Sequence, residues 1–316
     1  TLLHPSIKFQ LSRIETIDAT HKQIKTNEGY QNYDALIYAL GSTGRPFFRD
    51  TNSFCIGTLG EAERFRYMLT KHSANIVIIG GGLTGIETAT ELAEANSNFK
   101  VTLVHAGSLN RDYSPKASHN IRNVLQRLQI RFIENQRVIN SHESVVELQS
   151  GTVLSADQTI QTSGFWGSPV AKISKLPVNN RDQLLVDATL AVPQFEGLFG
   201  TGDAIALPQE YHFLRMGCVS AMPLGAHVAD SVIRYFKKEP LRSFRFGFPF
   251  RCISLGRRDG LIQFTDPFDR PNRYVVTGRN AALIKEQVCR WTVGILKLEM
   301  KTGWRLLQWR RGPKSI

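Results

Sequence analysis

No stretch of this 316-residue chain approaches the ~18 consecutive apolar residues that a membrane-spanning helix needs. There is no C-x-x-C pair. The four cysteines, Cys55, Cys218, Cys252 and Cys289, are scattered, which excludes a zinc knuckle and a relay of neighbouring thiols. Free thiols in a reducing cytosol are the expectation. No H-E-x-x-H occurs among the eight histidines, so a zincin-type metal centre is excluded. Thr1 opens no charged n-region with an apolar core behind it, and no initiator methionine precedes it. The chain is therefore expected to begin inside a longer gene product. Acidic residues are scarce at one end only. Residues 241–316 hold 16 Lys and Arg against 5 Asp and Glu, and so carry +11 of the formal net charge of +12. A basic tail on a near-neutral body points to an anionic partner: a phosphate-bearing ligand, a lipid surface or nucleic acid. With the charge confined to the tail and no recognition module in sight, nucleic acid is not expected.

What is present reads as a globular protein of two or three domains. One segment carries a specific pattern. Ile76 to Ile79 is a short buried strand, Gly80-Gly81-Gly82-Leu83-Thr84-Gly85 follows, Ile86 to Ala95 has helical spacing, and Val101 to Val104 is a second strand. Strand, glycine turn, helix, strand is the context of a dinucleotide-binding unit. Gly80 permits the tight turn, Gly82 lets backbone approach a pyrophosphate, and Gly85 lets the helix pack on the strand. The helix N-terminus beside Thr84 then offers unpaired N–H groups to phosphates.

A second regularity is internal. Residues 130–164 hold strand-like runs, a turn at Ser150-Gly151, and Asp157-x-x-Ile160-x-x-x-Gly164. Residues 7–41 hold similar runs, a turn at Glu28-Gly29, and Asp34-x-x-Ile37-x-x-x-Gly41. One supersecondary unit used twice explains the spacing; a coincidental β-hairpin at residues 7–41 is the alternative. Asp157 follows Gly80 by 77 residues. The same offset from Asp34 places a matching glycine turn about 43 positions ahead of Thr1, so a first βαβ unit is expected upstream.

These residues resemble the flavoprotein pyridine nucleotide oxidoreductases with two dinucleotide folds, most closely the branch of type II NADH dehydrogenases. Three segments carry the likeness. Tyr33 to Ser42 resembles the family's A-T-G-S crossover strand, with Leu40 in place of the usual Thr. Ile76 to Glu87 resembles its NAD(P)H fold. Gly197-Leu198-Phe199-Gly200-Thr201-Gly202-Asp203-Ala204 resembles its second flavin motif. The resemblance spans residues 7 to about 236. It implies an α/β protein with two Rossmann-like, three-layer FAD- and NAD(P)-binding domains and a small C-terminal α+β domain. Residues 1–58 and 193–240 would form the FAD domain, without its N-terminal βαβ unit; residues 59–192 the NAD(P)H domain; residues 241–316 the third.

The resemblance also implies roles. FAD and NAD(P)H are the cofactors, and Gly41, Ser42, Gly80, Gly82, Thr84, Gly85, Gly164 and Gly202 line them. Asp203 accepts hydrogen bonds from ribityl hydroxyls, where the plain reading is a turn-forming Asp after Gly. Met216 precedes a helix, Val219 to Phe236, aimed at the flavin pyrimidine edge. Glu87, in the first turn of its helix, lies on the nicotinamide side of the flavin; complementing the helix dipole is its structural reading. The acid that usually binds the ribose 2′-hydroxyl at the end of the second strand is replaced by His105. With Arg111 nearby to pair a 2′-phosphate, this tilts the site toward NADPH.

The activity implied is hydride transfer from NAD(P)H to flavin and on to a quinone or other small acceptor, with Glu87 the candidate catalytic residue. A soluble reductase of a redox protein and a redox-inactive binding or signalling protein on the same scaffold are the alternatives. In the tail, strands are expected at 250–256 and 261–265 around an Arg257-Arg258-Asp259-Gly260 turn, and helix over Ala281 to Trp309. Apolar and basic residues mix across 281–311. That mixture fits an anionic membrane surface or a helix packed on its own domain with a solvated basic face. A cytoplasmic protein, or one peripheral on the inner face of the membrane, is the expected location.

Overall fold

A computed structural model describes residues 6–69 and 74–312. Residues 1–5, 70–73 and 313–316, which fall in the expected flavin, NAD(P)H and C-terminal domains, lie outside the described residues. The chain divides into two compact units. One takes the described residues up to Thr43, then Trp166–Phe248 and the chain from Arg290 onward. The other takes Gly44–Phe165 and Pro249–Cys289.

The second of these is built on a parallel sheet in the order Ser53–Phe54, Gln158–Gln161, Ala74–Ile79, Phe99–Val104, Arg131–Ile133. Alternation along the strands sends neighbouring side chains to opposite faces. Ile76, Ile78, Val101 and Leu103 pack on Ile86 and Ala89 of the helix Leu83–Ala95, and on Ile121, Val124 and Leu125 of the helix Pro115–Arg127. Val77 and Val104 face the other way, onto Val138, Val146, Leu148 and Leu154. Those four belong to an antiparallel meander, Val138–His142, Val145–Leu148 and Val153–Ser155. Helices, parallel sheet and meander make three layers. The helix Pro115–Arg127 starts as its sequence dictates: Ser114 caps it and Pro115 fills the first position, where a missing N–H costs nothing.

The first unit repeats the theme. The strands Ile14–Asp18, Gln23–Thr26 and Gly29–Asn32 form an antiparallel meander. Leu36–Tyr38 follows and pairs in parallel with Leu198–Gly200, as Gln158–Gln161 pairs with Ser53–Phe54. Gly41 and Gly164 close the two repeats at φ +66° and +85°, a backbone region that favours glycine. The two segments matched by spacing thus fold alike. Tyr38, Leu198 and Phe199 are buried with Leu224 and Val228 of the helix Cys218–Phe236.

The tail corrects the expected boundaries. Residues 241–316 are divided between the two units. The strands Phe250–Ser254, Gly260–Thr265 and Pro271–Thr277 make an antiparallel sheet in the second unit. Ile253, Leu255 and Leu261 are buried in the core of that unit. Buried Gln263 adds a polar tie: its Oε1 accepts from the N–H and hydroxyl of Ser114, and its Nε2 donates to the carbonyls of Phe264, Asn272 and Tyr274. Gly260 opens a strand rather than sitting in the turn, and a β-carbon there would lie 2.8 Å from the Ala282 nitrogen, so no side chain fits. The last helix runs Gly278–Thr302, not to Trp309. Gly303, at φ +68°, ends it and donates its N–H to the Glu299 carbonyl. Beyond it the chain lies on the first unit, where Gly247 N–H donates to Arg310 O and Trp309 Nε1 donates to Arg245 O.

Candidate functional site

In the second unit the glycine turn joins the strand Ala74–Ile79 to the helix Leu83–Ala95. Gly80 has φ +119°. A β-carbon on Gly85 would fall 1.7 Å from the Gly80 carbonyl oxygen and 2.8 Å from Thr162 Oγ1. Only glycine lets the helix and strand approach this closely. Gly82 differs: it is exposed and a β-carbon there meets nothing within 4 Å. It is the N-terminal flanking residue of the helix, with no side-chain cap and no acid in the first turn. Bare N–H groups, a partial positive charge and open space therefore coincide at one point, which is what a pyrophosphate requires.

Two further residues complete this site. His105 follows the strand Phe99–Val104 and lies against the turn: a β-carbon on Gly81 would meet His105 Cγ at 2.5 Å. Its Nε2 is buried without a hydrogen-bond partner, and burial pushes the imidazole below the ordinary histidine range. An orphaned ring nitrogen beside the glycine turn is an atom for a ligand to satisfy. Thr162, two residues before Gly164, donates its hydroxyl to the Ile79 and Gly80 carbonyls. The spacing of the repeat singled out Gly164, but not Thr162 as the brace behind the loop. Arg111 sits exposed on the short helix Leu109–Asp112.

Glu87 is placed otherwise than expected. It is the fifth residue of its helix, beyond the first turn, so dipole complementarity is not its role. Its carboxylate accepts from Lys285 Nζ and from the Ser254 N–H, at 2.9 Å for the latter. Lys285 lies in a stretch of basic and apolar residues that gave no signal for this pairing.

In the first unit, Gly202–Ala204 form a single 3-10 turn. Gly202 has φ +69°. Asp203 Oδ1 accepts from the Gly217 N–H at 2.7 Å, and Gly217, at φ +141°, precedes the helix Cys218–Phe236. That helix also lacks a side-chain cap and an acid in its first turn. Gly202, Asp203 and Met216 line one cavity of about 440 Å³. Thr201 Oγ1, one residue earlier, is buried without a partner. Gln183, which sequence reasoning missed, braces the turn by donating to the carbonyls of Asp203 and Ile205. Gly41 and Ser42 do not line this cavity; they follow the strand Leu36–Tyr38, with Ser42 opening the strand Ser42–Gly44.

The comparisons agree with this arrangement. Residues 3–221 match the model of the pyridine nucleotide-disulphide oxidoreductase family. The type II NADH:quinone oxidoreductase of Haemophilus influenzae is 25% identical over 251 residues, 74% of this chain and 56% of that protein. The chain thus spans little more than half the length of that relative. Ferroptosis suppressor protein 1 of Taeniopygia guttata is 23% identical over 279 residues, 81% of this chain and 71% of that one. Among solved structures, the sulfide:quinone oxidoreductase of Aquifex aeolicus superposes with a TM-score of 0.74 at 17% identity, covering 98% of this chain and 84% of that one. A parallel-sheet unit with a glycine turn, a second unit built on the same repeat, and a family match over more than two thirds of the chain give one conclusion: this chain belongs to the pyridine nucleotide-disulphide oxidoreductase family.

Proposed function

We propose that this chain is the greater part of an FAD-dependent oxidoreductase that takes hydride from NAD(P)H and passes the electrons to a quinone or another small acceptor. The observation that carries the reading is the uncapped helix N-terminus behind exposed Gly82, with the orphaned His105 nitrogen beside it. Gly80, Gly82, Thr84 and Gly85 hold the NAD(P)H pyrophosphate in this reading. His105 meets the ribose in this reading, standing where the family's 2′-hydroxyl-binding carboxylate would be, and the site favours NADPH. Asp203 and the N-terminus at Met216–Gly217 hold the flavin, which when bound supplies the two-electron acceptor. These residues hold no C-x-x-C pair, and in this reading the acceptor draws electrons from the flavin directly. Quinone is the acceptor named for the Haemophilus relative.

The flavin site needs a strand from outside these residues. Gln158–Gln161 lies between two strands, Ser53–Phe54 and Ala74–Ile79. Its counterpart Leu36–Tyr38 pairs, among the described residues, with Leu198–Gly200 alone. The open edge is the place for the strand of an upstream βαβ unit. Expression with the preceding coding sequence tests both parts. A yellow protein whose flavin band is bleached faster by NADPH than by NADH is expected; no flavin uptake would sink the reading.

No helix among the described residues is long and apolar enough to cross a membrane. We place the protein in the cytoplasm, against the inner face of the membrane, through residues 281–311. Exposed Ile284, Trp291 and Leu298 recur every seven residues along the Gly278–Thr302 helix, a spacing that keeps them on one side. Flotation with anionic vesicles is the check, and a chain left at the bottom of the gradient rejects the placement.

A further inference from the structure

The first unit carries a second cavity, of about 650 Å³, away from the Asp203 turn. Its walls are the helix Cys218–Phe236, the loop 239–245 and the extended segment 305–311. Six cationic side chains line it, Arg234, Lys237, Arg242, Arg245, Arg305 and Arg311, against two carboxylates, Asp230 and Glu239. Both carboxylates are taken. Arg305 holds Asp230 through two hydrogen bonds of 2.8 Å, and Arg234 pairs with Glu239 at 2.9 Å. Arg245 spends its Nε and Nη2 on the Gly312 carbonyl, a neutral acceptor. Lys237, Arg242 and Arg311 are exposed and have no carboxylate partner among the described residues. Four positive charges thus share one cavity with no carboxylate partner among the described residues.

The cavity is also shaped. Buried Leu307 and half-buried Trp309 form part of its wall, and the indole is fixed by its bond to the Arg245 carbonyl, 2.9 Å long. Like charges gathered in a concave site repel one another and raise the local concentration of anions. A single carboxylate would answer one of the four. A phosphate group with two or more negative charges answers several at once, and arginine guanidinium groups match its oxygens in pairs. The volume lies within the range of small-molecule sites, roughly 300–1,000 Å³.

We propose that this cavity is a phosphate-binding site, distinct from the glycine turn and independent of the oxidoreductase reading, whose ligand is either a soluble polyphosphate or a phosphomonoester lipid headgroup. The test uses the whole chain at 0.15 M salt, about physiological ionic strength. Inorganic pyrophosphate is titrated by calorimetry, and phosphatidylcholine vesicles with and without phosphatidic acid are used in flotation. Each is repeated on a Lys237→Gln, Arg242→Gln, Arg311→Gln variant whose melting temperature is measured alongside. Binding of pyrophosphate that weakens about tenfold or more in the variant assigns a soluble ligand. Binding only of vesicles with phosphatidic acid, weakened likewise, assigns the headgroup. If the triple variant fails to fold, the single Arg242→Gln change carries the comparison, with a loss of about threefold expected. No binding of either probe, or binding that these substitutions leave unchanged, as it would be at the glycine turn, overturns the proposal.

Discussion

Gly85 and Gly80 meet so closely that a β-carbon on the first would lie 1.7 Å from the carbonyl oxygen of the second. Gly82, two residues after Gly80, has open space where its β-carbon would be. One glycine therefore serves packing and another serves a ligand. Gly85→Ala should destabilise the second unit by about 2–3 kcal/mol or more, since the backbone must move. Gly82→Ala should stay within about 0.5 kcal/mol of the parent yet weaken NAD(P)H binding. Thermal melts together with nicotinamide fluorescence titrations check the pair. Equal losses of stability in the two variants would contradict this division of labour.

The Glu87–Lys285 pair is only partly exposed, at 33% and 17% for the two side chains. Lys285→Met leaves the carboxylate with the Ser254 N–H alone and should cost about 1–3 kcal/mol. Adding Glu87→Gln should recover part of that loss, giving a coupling of about 1 kcal/mol in a double-mutant cycle. The more exposed pair Arg305–Asp230, at 53% and 39%, should show less, about 0–1 kcal/mol. Urea unfolding of the single and double variants measures both cycles. A null coupling for Glu87 and Lys285 would argue that the contact carries no stability.

Asp203 joins the flavin-motif turn to the start of the Cys218–Phe236 helix through Gly217. Asp203→Ala should cost about 1 kcal/mol, as other lost caps do. Asp203→Asn keeps an acceptor oxygen and should recover much of the stability. If the carboxylate also accepts from ribityl hydroxyls, flavin retention in the extended protein should fall in both variants. Unaltered flavin content in Asp203→Asn would leave the residue a structural role only.

Burial holds His105 and His227 below the ordinary histidine range. The unfolded chain takes up these protons near pH 6.5, while the folded chain resists them. The unfolded state then binds more protons, so the contribution is full above about pH 6.5 and declines as the pH falls toward the folded values. A melting temperature that drops between pH 7.5 and 5.5 is expected, with a smaller drop in His105→Asn and in His227→Asn. A pH-independent difference between parent and variants in that window would refute the assignment.

Much of the second unit was legible because its signals are local. Buried β-branched runs, a glycine turn and helix formers follow one another within thirty residues, and each constrains the next. The repeat was legible for the same reason, since Asp34 to Gly41 and Asp157 to Gly164 share one spacing. The strand Pro271–Thr277 was missed, being interrupted by polar and charged side chains; what places it is its ladder with Gly260–Thr265.

By itself the sequence determined the alternating strand faces, the glycine positions where no side chain fits, and the uneven charge. These depend on residue type and near-neighbour spacing, which a linear chain carries openly. Only the tertiary structure decided that residues 249–289 complete one unit while the chain from Arg290 onward belongs to the other. It likewise decided that Lys285 meets Glu87 and that four cations share a cavity with no acid left for them among the described residues. Such pairings join residues up to 198 positions apart, and their energy exists only once burial and the sheet ladders have brought them together.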